Sequence, residues 1–203
     1  MPLSSNPTIL AIDTSLGPCS VALWQNGAVT QLLHEEKSGQ QSKKLILMIE
    51  EVLAKGKVTY ADCDAIACTV GPGGFTGIRV GLTTARTLTL ATGKPLIGLT
   101  TLEVIAYGAK LRGDIVSVID AYRGQYYVQR FRMIEQLTPI SAPMLIEEKT
   151  LPALAHGAKT VQETPKAEHV AELAYTKWQN GERKFRSSPL YIREPDAKLP
   201  TSA

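Results

Sequence analysis

The chain has 203 residues, 44% of them apolar and 20% charged. That composition suits one globular domain or two small ones and excludes a disordered, collagen-like or coiled-coil chain. With 22 Lys and Arg against 19 Asp and Glu the net charge is +3, too small on its own to show that the chain grips a nucleic-acid backbone.

No stretch reaches the roughly 18 apolar residues of a membrane-spanning helix. The start, MPLSSNPTIL, lacks the basic segment and apolar core of a signal peptide, so a soluble, cytoplasmic chain is expected. Cys19, Cys63 and Cys68 show no CxxC spacing and read as small buried hydrophobes. His34, His156 and His169 form no HExxH or HxxxH pair, so nothing local supports a metal site.

The first element is ILAIDTS (9–15), whose apolar run suits a strand buried on both faces and ends at Asp13. CSVALW (19–24) and AVTQLLHE (28–35) flank Asn26-Gly27, a hairpin signal. A helix over 43–55 follows, with Ser42 as its cap. Leu45, Met48, Ile49, Val52 and Leu53 fall on one stripe of it, while Ile46 and Leu47 lie off that stripe. The surplus apolar surface fits either a deeply buried helix or a second face against another protein.

ADCDAIACTVG (61–71) reads as another buried strand. It runs into GPGGFTGIRVG (71–81), with Gly at 71, 73, 74, 77 and 81. A Gly-rich turn into a helix N-terminus suits an anion, yet no Gly-Lys-Ser/Thr follows. The preferred reading is a tight strand-to-helix turn capped by Thr76. On the helix 77–92, Gly77, Gly81, Thr84, Ala85 and Leu88 share a face. Small residues there let another backbone come close, in the same lobe or on a partner. Arg79 and Arg86 read as solvated or as interface ion-pair members.

PLIGLT (95–100) is a further strand, and 101–111 a short helix capped by Thr100 or Thr101. A first lobe ends near Gly113. DIVSVID (114–120) and QYYVQRF (125–131) then repeat the opening plan around a turn at Arg123-Gly124, with Asp120 matching Asp13. This echo predicts two related lobes, 1–113 and 114–203. Residues 138–155 hold one strand and a short helix. A helix from Thr164-Pro165 to Trp178 buries Val170, Ala171, Ala174 and Trp178. The tail 188–203 is extended.

Two lobes that each open on a strand hairpin and an aspartate resemble the α/β actin/Hsp70/sugar-kinase (ASKHA) fold, here with a reduced second lobe. Within it the chain resembles the TsaB (YeaZ) family. The resemblance rests on ILAIDTS with CSVALW, LILMIEEVL (45–53), GPGGFTGIRVGLTTARTL (71–88), SVIDAYRGQYYVQRF (117–131) and PLYIREPDAK (189–198). It implies a non-catalytic scaffold subunit for threonylcarbamoyl transfer to adenosine 37 of tRNAs reading ANN codons (t6A). The implied partners are TsaD, which carries metal and catalysis, and the ATPase TsaE. The adenylate donor comes from a separate synthase, and tRNA is reached only indirectly.

The resemblance also implies a partner interface on two helices, 43–54 and 77–91: Leu45, Ile46, Met48, Ile49, Val52, Leu53, Gly77, Ile78, Gly81, Thr84, Ala85 and Leu88. Without TsaD the same helices would form a homodimer. On this reading Gly81→Leu or Ala85→Trp weakens the partner contact and spares the fold. Asp13, Thr14 and Ser15, with Asp120 and Gly124, stand where relatives hold phosphates. Thr14-Ser15 replaces their Gly-Thr, and Tyr122-Arg123 crowds the second turn. Gln41 stands where a histidine is common, and glutamine is a poor transition-metal ligand. No catalytic residue, metal or cofactor is therefore expected. The competing readings are a small ATPase or kinase using Asp13 and Asp120, and a metallopeptidase with Ser15, Ser20 or Cys19. A minor role in tRNA binding would draw on Arg183, Lys184, Arg186, Arg193 and Lys198.

Overall fold

The computed structural model describes residues 6–35, 41–182 and 185–193. A strand with no polar side until its last residue belongs at the centre of a sheet. β1 (Ile9–Asp13) takes that place, antiparallel to β2 (Cys19–Gln25) and parallel to β4 (Ala65–Thr69). β3 (Ala28–Glu35) pairs with β2, and β5 (Leu96–Leu99) pairs with β4, giving the order β3-β2-β1-β4-β5. Asn26 and Gly27 turn β2 into β3 with φ of 53° and 80°, the left-handed pair a two-residue hairpin needs.

β4 is shorter than the 61–71 expected. A 3₁₀ turn, Tyr60–Asp62, takes its first residues. Asp62 accepts hydrogen bonds from the Thr59 amide and hydroxyl, and Asp64 accepts one from the Thr8 amide. The Thr59–Asp62 bonds are local and compete with a ladder.

One face of the sheet is covered by α1 (Gln41–Gly56) and α2 (Phe75–Thr92). Both begin earlier than expected. Ser42 lies inside α1, and Gly74 rather than Thr76 is the N-cap of α2. Gly93 closes α2 in the left-handed conformation, its N–H donating to the Thr89 carbonyl. On the other face lie α3 (Thr101–Gly108) and a helix from the far end of the chain, α5 (Ala167–Gln179). Thr100 is the cap of α3, its hydroxyl accepting from the Glu103 amide at 3.1 Å.

The second sheet is built from β6 (Gly113–Asp120), β7 (Gln125–Met133), β8 (Leu137–Pro139), β9 (Met144–Glu147) and β10 (Lys159–Val161). Its order is β10-β6-β7-β8, with β9 also on β7. Residues 138–155 therefore hold parts of two strands rather than one, besides α4 (Leu151–Leu154). β10 has only three residues, too few to show a period. The outer face packs Val116, Val118 and Val128 against Ile146, Leu151 and Leu154.

The two sheets are joined through α3. Val104 faces the first sheet, while Leu102, Ile105 and Ala106 meet Ile115, Ile119 and Phe131 of the second. Chain order and lobe membership part company at α5. Val170, Ala171, Ala174 and Trp178 are buried, as the periodicity requires, but against Ile9, Ala11, Ala22 and Trp24 of the first sheet. Residue 113 thus divides the sheets and not the helices. Among the described residues no helix is long and apolar enough to cross a membrane.

Candidate functional site

β1 and β6 end at Asp13 and Asp120, and a cleft of about 880 Å³ opens where they stop. Residues 15–17 and 73–77 form one wall; 118–122, Tyr127 and 162–164 form the other, and Arg193 joins the lining. Ser15 and Asp120 reach the cleft. Asp13 and Thr14 do not: they are buried behind it, and Gly124 sits on the hairpin turn outside the lining.

The first loop is bonded to its own lobe. Asp13 Oδ1 accepts from the hydroxyls of Thr69 (2.6 Å) and Ser15 (2.7 Å) and from the Ser15 amide. The Thr14 hydroxyl donates to the Gly77 carbonyl at 2.7 Å. The Gly74 N–H donates to the Ser15 carbonyl at 2.8 Å. A Cβ at Gly77 would overlap the Thr14 carbonyl oxygen, and one at Gly81 the Thr14 hydroxyl. Burial pushes the Asp13 carboxyl up to about 6, against the pull of the two hydroxyls. On the facing wall Asp120 Oδ1 accepts from the Tyr122 amide at 2.6 Å, bracing a turn in which Tyr122 and Arg123 both have φ of 59°.

The nucleophile candidates are equally committed. Ser15 donates to Asp13. Burial, with the Asp13 charge behind it, pushes the Cys19 thiol up to about 12, so it holds no reactive thiolate near neutral pH. Ser20 serves as a cap for a distant helix, its oxygen accepting from the Ala167 N–H of α5 at 2.9 Å. Since Lys166, the cap residue itself, makes no side-chain capping bond, Ser20→Ala should cost about 1 kcal/mol and lower Tm by about 2–4 °C. Thermal melts check this, and an unchanged Tm would remove Ser20 from the capping role. Among the described residues no three His, Cys, Asp or Glu side chains come together. The Gln41 side chain, Arg183, Lys184 and Lys198 lie outside the described residues.

Most side chains expected at a partner interface point the other way. Leu45, Met48, Ile49, Val52 and Leu53 of α1 are buried against Leu10, Ile12, Val21 and Leu23. On α2, Gly77, Ile78, Gly81 and Ala85 are buried, and Thr84 and Leu88 are half-buried. The small-residue face lets α2 settle on Thr14, within the lobe. This corrects the expected contact list, because a partner cannot touch atoms already covered. What faces outward is Ile46 of the expected list, at 45% exposure, joined by two residues outside it, Leu47 at 64% and Leu90 at 88%, with Glu50, Glu51, Arg79 and Arg86 also exposed on the same helices. Ile46 and Leu47 were visible as residues off the stripe. Leu90 lies opposite the glycines on a helical wheel, a signal that periodicity also held.

The sequence model of the family described as TsaD: tRNA N6-adenosine threonylcarbamoyltransferase matches residues 33–198. A curated relative from Escherichia coli K12, named tRNA threonylcarbamoyladenosine biosynthesis protein TsaB, is 37% identical over 131 residues, 63% of this chain and 56% of its own length. The chain thus spans little more than half of that relative. The protein of the same name from Bacillus subtilis 168 is 30% identical over 164 residues, 75% of this chain and 72% of its own. A solved structure titled "YeaZ from Pseudomonas aeruginosa" superposes with a TM-score of 0.80 at 22% identity, covering 92% of this chain and all of that one. The two share a mixed α/β fold built on two sheets.

Proposed function

Because the chain belongs to the TsaB (YeaZ) family, we propose that it takes part in forming threonylcarbamoyladenosine in tRNA as a non-catalytic, partner-binding subunit. TsaD, the transferase for which the matching family model is named, is the proposed partner. It would dock on the outward faces of α1 and α2. TsaE would join the pair, the tRNA substrates would be those reading ANN codons, and tRNA would be held mainly by the partner. Without TsaD, a second copy would cover the same face.

The observation that carries this reading is the outward apolar set. Ile46, Leu47 and Leu90 stand exposed on two neighbouring helices, and large apolar side chains left open on adjoining helices favour an interaction site there. Acidic Glu50 and Glu51 on one helix and Arg79 and Arg86 on the other supply a polar rim of both signs. The bonds that occupy Asp13, Thr14, Ser15 and Ser20 support the non-catalytic part.

Leu47→Asp with Leu90→Asp should weaken capture of TsaD roughly a hundredfold, as expected for charges forced into the centre of an interface. Tm should stay unchanged, because neither side chain packs in the core. Retained capture would move the interface elsewhere. The pathway itself is tested by nucleoside mass spectrometry of bulk tRNA from cells depleted of the protein. Loss of threonylcarbamoyladenosine, restored by the wild-type gene, is the expected result.

A further inference from the structure

The segment 185–193 belongs to a tail that the cleft and the partner face leave unexplained, yet its backbone is built into the first lobe. Phe185 packs beside α5 on the first sheet. The Arg186 carbonyl lies against Gly98 of β5 so closely that a Cβ there would overlap it. The Leu190 N–H donates to the Val70 carbonyl at 2.7 Å, extending the hydrogen bonding one step beyond the end of β4. The Leu190 carbonyl comes back over Gly71, where a Cβ would stand only 2.8 Å from it and φ is +102°. Two glycines, one within β5 and one just beyond β4, are thus contact points for the same strap.

The next residue is gripped by α2. The Tyr191 ring stacks on Phe75 at 5.7 Å between centroids. Its hydroxyl accepts from Arg79 Nε at 3.1 Å, and the Arg79 guanidinium lies 3.7 Å over the Phe75 ring. Two residues later the strap leaves the first lobe. Arg193 Nη2 donates to Gln125 Oε1 at 2.7 Å, on the first residue of β7 in the second sheet. Arg193 also lines the cleft.

We propose that residues 190–193 are a clasp: anchored on the first lobe by Leu190 and Tyr191, they hold the second lobe through Arg193 and so set the width of the cleft. The two lobes are also joined by α3 packed between the sheets, by the paired amides of Gln136 and Asn180, and by the chain crossings after α3 and before α5. Crossings of that kind permit hinge motion, and a side-chain tie across the cleft restricts it. Breaking the tie releases the hinge without unpacking either sheet, because neither Arg193 nor Gln125 belongs to a core cluster. The anchor shares Arg79 with the proposed partner face, whereas the tie between the lobes, Arg193 to Gln125, uses no residue of α1 or α2.

Spin labels at Thr87→Cys on α2 and Lys149→Cys beyond β9, both exposed, read the separation of the lobes in the full chain by double electron–electron resonance. The three native cysteines are buried and stay unlabelled. One narrow distance is expected with the clasp intact. Arg193→Ala and Gln125→Ala should each add a longer distance, with roughly a fivefold rise in the open population for one hydrogen bond lost. The double variant should open no further than either single one. Tyr191→Ala should open the lobes similarly. If it fails to fold, the Arg193 and Gln125 pair still decides the matter. An unchanged distance in both single variants overturns the proposal. So does a change in Arg193→Ala that Gln125→Ala does not share.

Discussion

Asp13→Asn is expected to stabilise the protein by about 1–3 kcal/mol at pH 7 and to lose that advantage near pH 4. The reason is the burial of a carboxyl among Ile12, Cys19 and Cys68 with its pKa raised from 3.8 to about 6. A group whose pKa is raised on folding contributes stability that is fully present below its unfolded value, 3.8, and lost as pH rises through about 6. At pH 7 the folded protein therefore carries a buried charge whose desolvation the hydroxyls of Thr69 and Ser15 only partly offset. Asparagine keeps the Oδ1 acceptor that both hydroxyls use and removes the charge. Chemical denaturation of both proteins at pH 4 and pH 7 measures the difference. A variant less stable than wild type by the same amount at both pH values would show that the second carboxylate oxygen, not the charge, is what the fold requires.

Gly81→Leu should be among the most damaging single substitutions in the first lobe. Its Cβ would overlap the Thr14 hydroxyl, which is fixed by its bond to the Gly77 carbonyl, with Thr14 Cβ at 3.7 Å and Ile12 Cγ2 at 3.8 Å behind it. Neither β1 nor α2 can retreat, since both lie in the same packed cluster. Overpacking of this kind costs about 1–3 kcal/mol or more, a fall in Tm of about 2–12 °C for a chain of this size. This reverses the expectation drawn from the sequence, in which Gly81→Leu and Ala85→Trp spared the fold. Ala85 is fully buried too. The comparison with Leu90→Asp is the informative one: the Gly81 variant should melt early, and the Leu90 variant should melt normally and bind its partner poorly. A Gly81→Leu protein of wild-type Tm would mean that α2 sits more loosely on Thr14 than its packing implies.

Much of the architecture was readable from short patterns. The continuous apolar run before Asp13 placed β1 at a sheet centre, and Asn26-Gly27 placed a hairpin. The stripe of Leu45, Ile49 and Val52 defined the inner face of α1, and the echo of Asp13 in Asp120 announced the hairpin that opens the second sheet. Each of these signals is local: backbone sterics at a turn, or a period of 2 or 3.6 along one element. The functional residues were less legible. A stripe says that a face is covered and not what covers it. A row of small residues says that a backbone comes close, and Thr14 of the same lobe satisfies that as well as a partner helix would. The chain order likewise assigns α5 to the second half, whereas its apolar face found Ile9, Ala11 and Ala22 uncovered on the first sheet.

Residues 71–81 show the two kinds of information side by side. That the chain turns sharply there and enters a helix follows from its glycines and proline alone, because few other residues tolerate such a backbone. Why Gly71 in particular has no side chain depends on the Leu190 carbonyl, and why Gly77 and Gly81 have none depends on Thr14. Those contacts join residues far apart along the chain. They exist because the first sheet must bury both of its apolar faces at once, and the packing that does so brings these backbones together.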